Sequence, residues 1–111
     1  MKKRLLLKKN EEVAIRSLKE ALSERFNLIE FRLFGSKARG NDTSESDIDV
    51  MIEIDEVNPD IKSQIYDIVF EINLKNDTFI STVIFGKKEI EDGPMAESPI
   101  YKIIQKEGVS I

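Results

Sequence analysis

Hydrophobic residues recur at helical spacing in three segments of the chain. Residues three and four apart lie on one face of a helix, so each segment predicts an amphipathic helix. Asn10, Asn58 and Ser98 precede these segments as candidate N-caps, and proline follows the last two. The predicted helices are Glu11–Arg25 with the stripe Ile15, Leu18 and Leu22, a helix from Pro59 to the Lys75-Asn76-Asp77 sequence with Ile61, Ile65, Ile68, Val69 and Ile72, and a helix from Pro99 to Gly108 with Ile100, Ile103 and Ile104.

Alternating or β-branched runs predict three strands, Leu28–Phe34, Asp47–Glu53 and Thr78–Phe85. A short helical turn is predicted over Lys87–Glu91. The order is then helix, strand, strand, helix, strand, helix. This order is typical of an α/β (α+β) domain in which helices flank a small mixed β-sheet. The length predicts one domain over residues 1–111, with residues 1–9 as a basic N-terminal arm.

The composition limits the chemistry that the chain can perform. It contains no Cys and no His, and its formal net charge is -4. Disulfides, thiolate nucleophiles and zinc–thiolate sites are therefore excluded, a metal needs oxygen ligands, and a general base must be a carboxylate or a lysine. The net acidity makes nucleic acid an unlikely partner by charge.

The first nine residues, MKKRLLLKK, are basic and contain three consecutive leucines. A secretory signal needs an apolar core of about 7–15 residues, and a membrane span needs roughly 18. We therefore expect a cytoplasmic protein without a membrane anchor. A basic arm that contacts RNA or an acidic partner is the alternative interpretation of this stretch.

Two aspartates begin the second predicted strand, at the end of the stretch GSKARGNDTSESDIDVMI from Gly35 to Ile52. Asp47 and Asp49 are two residues apart, so in a strand they project from one face with about 6.6–6.8 Å between them. Two carboxylates held in this way can bind two divalent ions. Because the chain has no histidine, the expected ions are hard ones such as Mg²⁺. The alternative is a solvated strand face whose aspartates keep an edge soluble.

A turn rich in small and cationic residues precedes these aspartates. Gly35 lets the backbone approach a ligand closely, and Ser36 with the N–H groups after it can bind phosphate oxygens. Lys37 and Arg39 add positive charge nearby. The alternative is an ordinary turn with solvated cations. A phosphate-binding turn followed directly by a metal-binding strand is what metal-assisted phosphoryl chemistry requires.

The full motif has a more specific resemblance than either half. Gly35-Ser36-x-x-Arg39-Gly40 followed by Ser46-Asp47-x-Asp49 resembles the signature of the DNA polymerase β-like nucleotidyltransferases. The chain is most similar to their minimal bacterial and archaeal members, and its predicted element order also fits their small domain. The resemblance implies a nucleotidyltransferase fold.

The resemblance also implies a division of roles among the motif residues. It assigns nucleotide binding to Gly35, Ser36, Arg39 and Gly40, and it makes Asp47 and Asp49 the catalytic residues that hold two Mg²⁺ ions. The implied reaction moves a nucleoside monophosphate from a nucleoside triphosphate to an acceptor hydroxyl and releases pyrophosphate. The residues themselves leave the role of Arg39 open between a phosphate contact and an ion pair with Asp47 or Asp42 that braces the loop.

The sequence departs from the family pattern at one position. The family has a third carboxylate in the middle of the next strand, where it serves as the base for the acceptor hydroxyl, and Ser81 falls there in this chain. Asp77 or Glu71 substitutes for it only if the register differs. Removing one positioned acid–base group commonly lowers a rate by about 10²–10⁴, so we expect slow transfer unless the register supplies another carboxylate.

Larger relatives hold the acceptor in an added helical domain, for which 111 residues leave no room. The resemblance therefore implies a partner, either a HEPN-type helical protein or a second copy of the chain. An alternative function is a catalytically weak, antitoxin-like subunit that binds such a partner in a toxin–antitoxin pair.

Overall fold

A computed structural model describes residues 7–35 and 47–111 of the chain. These residues form helices and strands that alternate along most of the sequence. The elements are α1 (Lys9–Arg25), β1 (Leu28–Phe34), β2 (Ile48–Ile54), α2 (Pro59–Asn76), β3 (Ile80–Gly86), α3 (Lys87–Glu91), a 3-10 turn (Pro94–Glu97), α4 (Pro99–Glu107) and β4 (Val109–Ser110). The predicted basic arm falls largely outside the described residues, and Lys9 belongs to α1.

Four strands form one mixed sheet in the order β3-β2-β1-β4. β2 and β3 are parallel, while β1 is antiparallel to both β2 and β4. A parallel pair needs a crossover connection, which α2 supplies. The predicted fold class, a small mixed sheet flanked by helices, is confirmed. The sequence did not predict β4, because two residues are too few to show an alternating pattern.

One face of the sheet packs against α1 and α2, and this layer contains the larger core. Alternate residues of β2 face it, so the predicted Ile48, Val50 and Ile52 stripe is buried. The predicted helix stripes meet it from the other side. Each fully buried Leu or Ile contributes roughly 1.5–3 kcal/mol. The helical residues buried here are Ala14, Ile15, Leu18, Leu22, Ile65, Ile68 and Val69.

The opposite face of the sheet is covered by α4 over part of its length. Met51, Phe85 and Ile104 are buried there, and the Tyr101 ring meets Phe85 edge-on with 5.5 Å between ring centroids. The predicted stripe of α4 was wrong for two of its residues, because Ile100 and Ile103 are exposed. This nine-residue helix contacts the sheet through Tyr101 and Ile104, which leaves the other isoleucines in solvent.

Several predicted element boundaries shift by one or two residues. α1 begins at Lys9 rather than at Glu11, and the backbone N–H of Lys8 donates to Glu11 Oε1 at 2.9 Å. The predicted cap, Asn10, does not cap α1. Its side-chain amide instead donates to the carbonyl oxygens of Asn76 and Asp77 at 2.9 and 3.3 Å, which satisfies the last turn of α2.

The other two predicted caps are confirmed, since Asn58 accepts from the N–H of Ile61 at 2.8 Å and Ser98 accepts from that of Tyr101 at 3.2 Å. β2 and β3 begin later than predicted, at Ile48 and Ile80. Among the described residues, none of the helices combines the length and hydrophobicity that crossing a membrane requires.

Asn73 fixes the junction between α2 and β3. Its Oδ1 accepts from the N–H of Ile80 at 2.9 Å and from Thr78 Oγ1 at 3.0 Å, and its Nδ2 donates to the carbonyl of Ile80 at 3.2 Å. Asp77 ends the helix in the left-handed region, with φ of 54°. Thr78 is buried. The side chain of Asn73 therefore replaces the backbone partners that the first residue of β3 would otherwise lack.

We predict that Asn73→Ala lowers the free energy of unfolding by about 2–4 kcal/mol, because three side-chain hydrogen bonds are lost and the Ile80 N–H is left unsatisfied. Urea unfolding followed by circular dichroism measures the change. Asn76→Ala is the matched control, since the Asn76 side chain donates a hydrogen bond to Ile72 in its own helix, and it is expected to cost about 1 kcal/mol. Equal losses in the two variants would contradict the assignment.

Candidate active site

Strand pairing places one residue each from β1, β2 and β3 side by side across the sheet. In the antiparallel β1–β2 pair, Phe34 is opposite Asp49. In the parallel β2–β3 pair, Asp49 is opposite Ser81. Paired residues point to the same face, so Asp49 and Ser81 are neighbours on the face away from α1 and α2. Gly35 follows Phe34 at the end of β1 and closes the row.

Gly35 lies directly against the carboxylate of Asp49. Its φ is 76°, a left-handed conformation that residues with side chains rarely adopt. A Cβ atom built at Gly35 would overlap Oδ2 of Asp49 and lie 3.3 Å from its Cγ. Glycine is therefore strongly favoured here, because the left-handed backbone disfavours a side chain and an added Cβ would displace the carboxylate of Asp49. The structure brings together two residues that the motif placed on opposite sides of a loop.

Asp47 lies one residue before β2 and is exposed, whereas Asp49 lies inside β2 and is half-buried. The next residue, Ile48, donates its N–H to the carbonyl of Phe79 at 2.9 Å. This bond fixes the start of β2 beside the start of β3. Both aspartates are therefore at the same end of the two parallel strands.

The remaining predicted nucleotide-binding residues, Ser36, Arg39 and Gly40, lie outside the described residues, as do Lys37 and Ser46. Their roles stay predictions.

The register decides which residue occupies the third-carboxylate position. Ser81 pairs with Asp49 and is exposed. Asp77 lies at the C-cap of α2, before β3 begins, and Glu71 is inside α2. Neither belongs to the β2–β3 ladder. The neighbour of Asp49 on β3 is thus a hydroxyl, which at neutral pH does not accept a proton as a carboxylate does.

The donor set at this end of the sheet suits a hard divalent ion. The two aspartates offer oxygen ligands, and Mg²⁺ commonly uses one or two carboxylates together with substrate phosphates. The backbone of Gly35, which carries no Cβ, borders the carboxylate of Asp49. Across the described residues, no group of three or more Asp, Glu, His or Cys side chains is arranged to hold a metal. The assignment of Asp47 and Asp49 as metal ligands stays a prediction from the motif.

A second acidic group lies farther along the same face of β2, beneath α4. Glu53 is only 8% exposed. Burial raises its pKa above 4.5, the charges of Glu30 and Glu91 raise it further, and the cations Lys87 and Arg32 oppose the shift. It is four residues from Asp49, about 13 Å along the strand. Glu53 therefore belongs to the packing of α4 and not to the candidate site.

The surroundings of Glu53 are charged and partly hydrogen-bonded. Arg32 Nη2 donates to Glu30 Oε1 at 3.2 Å, and Gln105 Nε2 donates to Glu30 Oε2 at 3.4 Å. Burial likewise raises the pKa of Tyr101, and the carboxylates of Glu53 and Glu30 contribute to that shift. Ionising Glu53 thus adds negative charge to a crowded acidic region under α4.

One feature beside the candidate site was not predicted from the sequence. Phe79, which accepts the hydrogen bond from Ile48, is strongly exposed, and so are Phe70 and Leu74 on the outer side of α2. Their spacing was the available signal, because residues four apart on a helix share a face. Only the inner stripe of α2, which packs in the core, was predicted from the sequence.

We predict that Glu53→Gln makes the protein more stable at pH 7 and that the gain disappears near pH 4. The folded-state pKa is raised above 4.5, so the protonated carboxyl favours folding at low pH, and that contribution is lost as the pH rises through the folded-state pKa. Urea unfolding at several pH values measures it. Glu24→Gln, at an exposed site on α1, is the control. A Glu53→Gln protein less stable than the wild type at pH 7 would refute this account.

We predict that Gly35→Ala destabilises the fold by about 2 kcal/mol or more, since the left-handed backbone alone costs about 1–2 kcal/mol in a residue with a side chain. In an Asp49→Ala background the loss is smaller, because the overlap with the carboxylate is relieved while the backbone cost remains. Thermal unfolding of the wild type, the two single variants and the double variant measures the backbone cost and the cost of the overlap. Gly86→Ala is the control for the backbone cost, because Gly86 has φ of -94° and an added Cβ there would meet only side chains, Val57 at 3.1 Å and Glu89 at 3.3 Å. Independent effects of Gly35→Ala and Asp49→Ala would rule out the proposed contact.

Comparison with known proteins supports the assignment suggested by the motif. A sequence model described as a nucleotidyltransferase domain matches residues 15–110. A protein of Methanocaldococcus jannaschii that carries the name "Putative protein adenylyltransferase" is 48% identical over 44 residues, which are 40% of this chain and 44% of that protein. The match thus spans less than half the length of that relative.

The fold has a counterpart of known structure. A crystal structure named as that of a "putative nucleotidyltransferase" from Sulfolobus solfataricus matches with a TM-score of 0.51 and 24% sequence identity, over 95% of this chain and 87% of the other. At this identity the likeness concerns the fold. The family match, in contrast, covers β1, β2 and β3 together with every residue of the candidate site. This chain belongs to the nucleotidyltransferase domain family.

Proposed function

We propose that this chain is a Mg²⁺-dependent nucleotidyltransferase that moves a nucleoside monophosphate from a nucleoside triphosphate to an acceptor hydroxyl. One observation carries the proposal: the main chain at Gly35 lies directly against the carboxylate of Asp49. A backbone that can bind phosphate and a carboxylate that can bind a metal therefore share one small volume, as metal-assisted phosphoryl transfer requires.

In this proposal, Gly35 and Ser36 bind the triphosphate, and Asp47 and Asp49 hold the Mg²⁺ ions. Bound Mg²⁺ supplies positive charge that neutralises phosphate oxygens. The acceptor oxygen forms a bond to the α-phosphorus while the bond from that phosphorus to the leaving oxygen breaks, and pyrophosphate departs. The acceptor proton passes to water or to a phosphate oxygen, because the neighbour of Asp49 is the hydroxyl of Ser81.

The nucleotide and the acceptor class are suggested by one relative. The protein of Methanocaldococcus jannaschii is named for adenylyl transfer to protein. We extend this to the present chain: the nucleotide is ATP, and the acceptor is a hydroxyl side chain of a partner protein. A HEPN-type helical protein or a second copy of the chain can provide it.

A second candidate function is favoured by Ser81. In register with Asp49 it offers a hydroxyl where the family resemblance implies a carboxylate base. A chain without that base can still bind Mg²⁺ and nucleotide while transferring slowly. The second candidate is therefore a catalytically weak, antitoxin-like subunit that acts by binding its helical partner.

The proposal is tested by incubating the protein with each of the four nucleoside triphosphates, labelled at the α-phosphate, in Mg²⁺ and with the candidate partner protein. We predict label transfer from ATP that is abolished by chelation, because the phosphate charge is then no longer neutralised. Asp47→Asn and Asp49→Asn are expected to lower the rate by at least about 10². Asp55→Asn, an exposed acidic site just beyond β2, is the matched control.

Ser81→Asp separates the two candidate functions. It places a carboxylate beside Asp49. We expect the transfer rate to increase by up to about 10²–10⁴-fold, which is the contribution of a positioned base. If the wild type transfers no label but Ser81→Asp does, the catalytically weak subunit is supported. If neither protein transfers any of the four nucleotides, the transferase proposal is wrong.

A further inference from the structure

The outer side of α2 carries a second apolar stripe. Tyr66, Phe70 and Leu74 are spaced four residues apart, so they lie on one face of the helix. They are 51%, 64% and 69% exposed, and Phe79 beside them is 69% exposed. We call these four residues the α2 surface. The inner stripe already anchors the helix in the core, so the fold does not need the outer one.

Three of the four residues of the α2 surface line a groove. Phe70, Leu74 and Phe79 line a cavity of about 380 Å³, and Asn73, Asp77 and Thr78 form the rest of its wall. Asn73 is held by its bonds to Ile80 and Thr78, which makes that wall rigid. A rigid apolar groove beside a helix is the form that receives an amphipathic helix from a partner protein.

The groove adjoins the candidate active site. The carbonyl of Phe79 accepts the N–H of Ile48 at 2.9 Å, and Asp47 is the residue before Ile48. A segment that docks against Phe79 is therefore brought to the end of the sheet where the two aspartates lie. This link gives the α2 surface a role in delivering an acceptor, and that role rests on the proposed function.

The size of the α2 surface suits a specific protein interface. With aromatic side chains of about 150–250 Å² each, its exposed apolar area is roughly 500 Å², within the range of functional patches on monomers. One side of a standard interface buries about 800 Å², somewhat more than half of it apolar. The apolar area therefore matches the core of one such interface.

Charge selects the kind of partner. Asp60, Asp67 and Glu71 lie along one border of the stripe and are exposed. If two copies paired their α2 helices antiparallel about a two-fold axis, the same borders would meet and these carboxylates would repel. The net charge of -4 adds to that repulsion. Anionic lipid and nucleic acid are disfavoured for the same reason, whereas a helix that carries Lys or Arg is attracted.

We propose that the α2 surface docks an amphipathic helix of the acceptor protein, with apolar residues in the groove and Lys or Arg residues facing Asp67 and Glu71. The docked helix places the acceptor next to Asp47. Binding then requires neither nucleotide nor metal.

Two synthetic peptides of about 18 residues, long enough to form a helix, test the docking by fluorescence anisotropy without nucleotide. Both carry the same leucine stripe, one with lysine and the other with glutamate on its flanks. We expect the lysine peptide to bind at least about tenfold more tightly than the glutamate peptide, and Phe70→Ser with Leu74→Ser to weaken it at least about tenfold. Ile100→Ser with Ile103→Ser, at exposed isoleucines of α4, is the matched control and leaves binding unchanged.

A charge reversal sharpens the result. Asp67→Lys with Glu71→Lys is expected to reverse the preference, so that the glutamate peptide binds more tightly. Equal binding of the two peptides, binding of neither, or no effect of Phe70→Ser with Leu74→Ser would overturn the proposal. So would a wild-type dimer in sedimentation velocity that these serine substitutions make monomeric, because the occupant would then be a second copy.

The position of the docked helix is tested separately. The chain has no cysteine, so Asp47→Cys and Lys88→Cys each carry a single dye. Lys88 follows the far end of β3, roughly 20 Å away along the strands. Energy transfer from the labelled lysine peptide is expected to be stronger to position 47 than to position 88, and the reverse order would overturn the placement. These assays contain no nucleotide, so their result does not depend on transferase activity. If the protein transfers nucleotide but its groove binds neither peptide, the docking proposal is wrong and the proposed function stands.

Discussion

The register between β2 and β3 is the constraint on which the candidate site depends. Side chains alternate along a strand, so a slip of one residue would turn Asp49 and Ser81 to opposite faces. The hydrogen bonds of Asn73 to Ile80 hold the first residue of β3 in place. The bond from Ile48 to Phe79 aligns β2 with it. One partly buried amide on α2 thus helps to hold the register that places Ser81 beside Asp49.

Most of the fold was predictable because its helices and strands have strong periodic patterns. The predictions were wrong where a tertiary contact decided the outcome. Asn10 has the chemistry of an N-cap, but its amide binds the end of α2 instead. The short helix α4 contains several isoleucines, and only packing on Phe85 and Met51 determines that Ile104 is buried while Ile100 and Ile103 are not.

The candidate site was predictable in part. The motif predicted Gly35 and Asp49 as site residues from their residue types and spacing, and the family match covers both positions. Their direct contact could not be predicted, because it depends on how β1 pairs with β2 across the intervening loop. Which of Ser81, Asp77 and Glu71 lies beside Asp49 also could not be decided without the register of β2 and β3. The α2 surface was overlooked because a helix with apolar residues on two sides satisfies the core pattern with only one of them.

Because Gly35 contacts Asp49, the residues tolerated at position 35 depend on the residue at position 49. While the aspartate is present, a side chain at position 35 would meet both the left-handed backbone and the carboxylate of Asp49. A descendant that lost the aspartate would be released from the steric requirement but not from the left-handed turn. In such a lineage the glycine would be retained after the carboxylate had been replaced. A glycine retained where the aspartate is absent would then reflect the conformation of the turn alone.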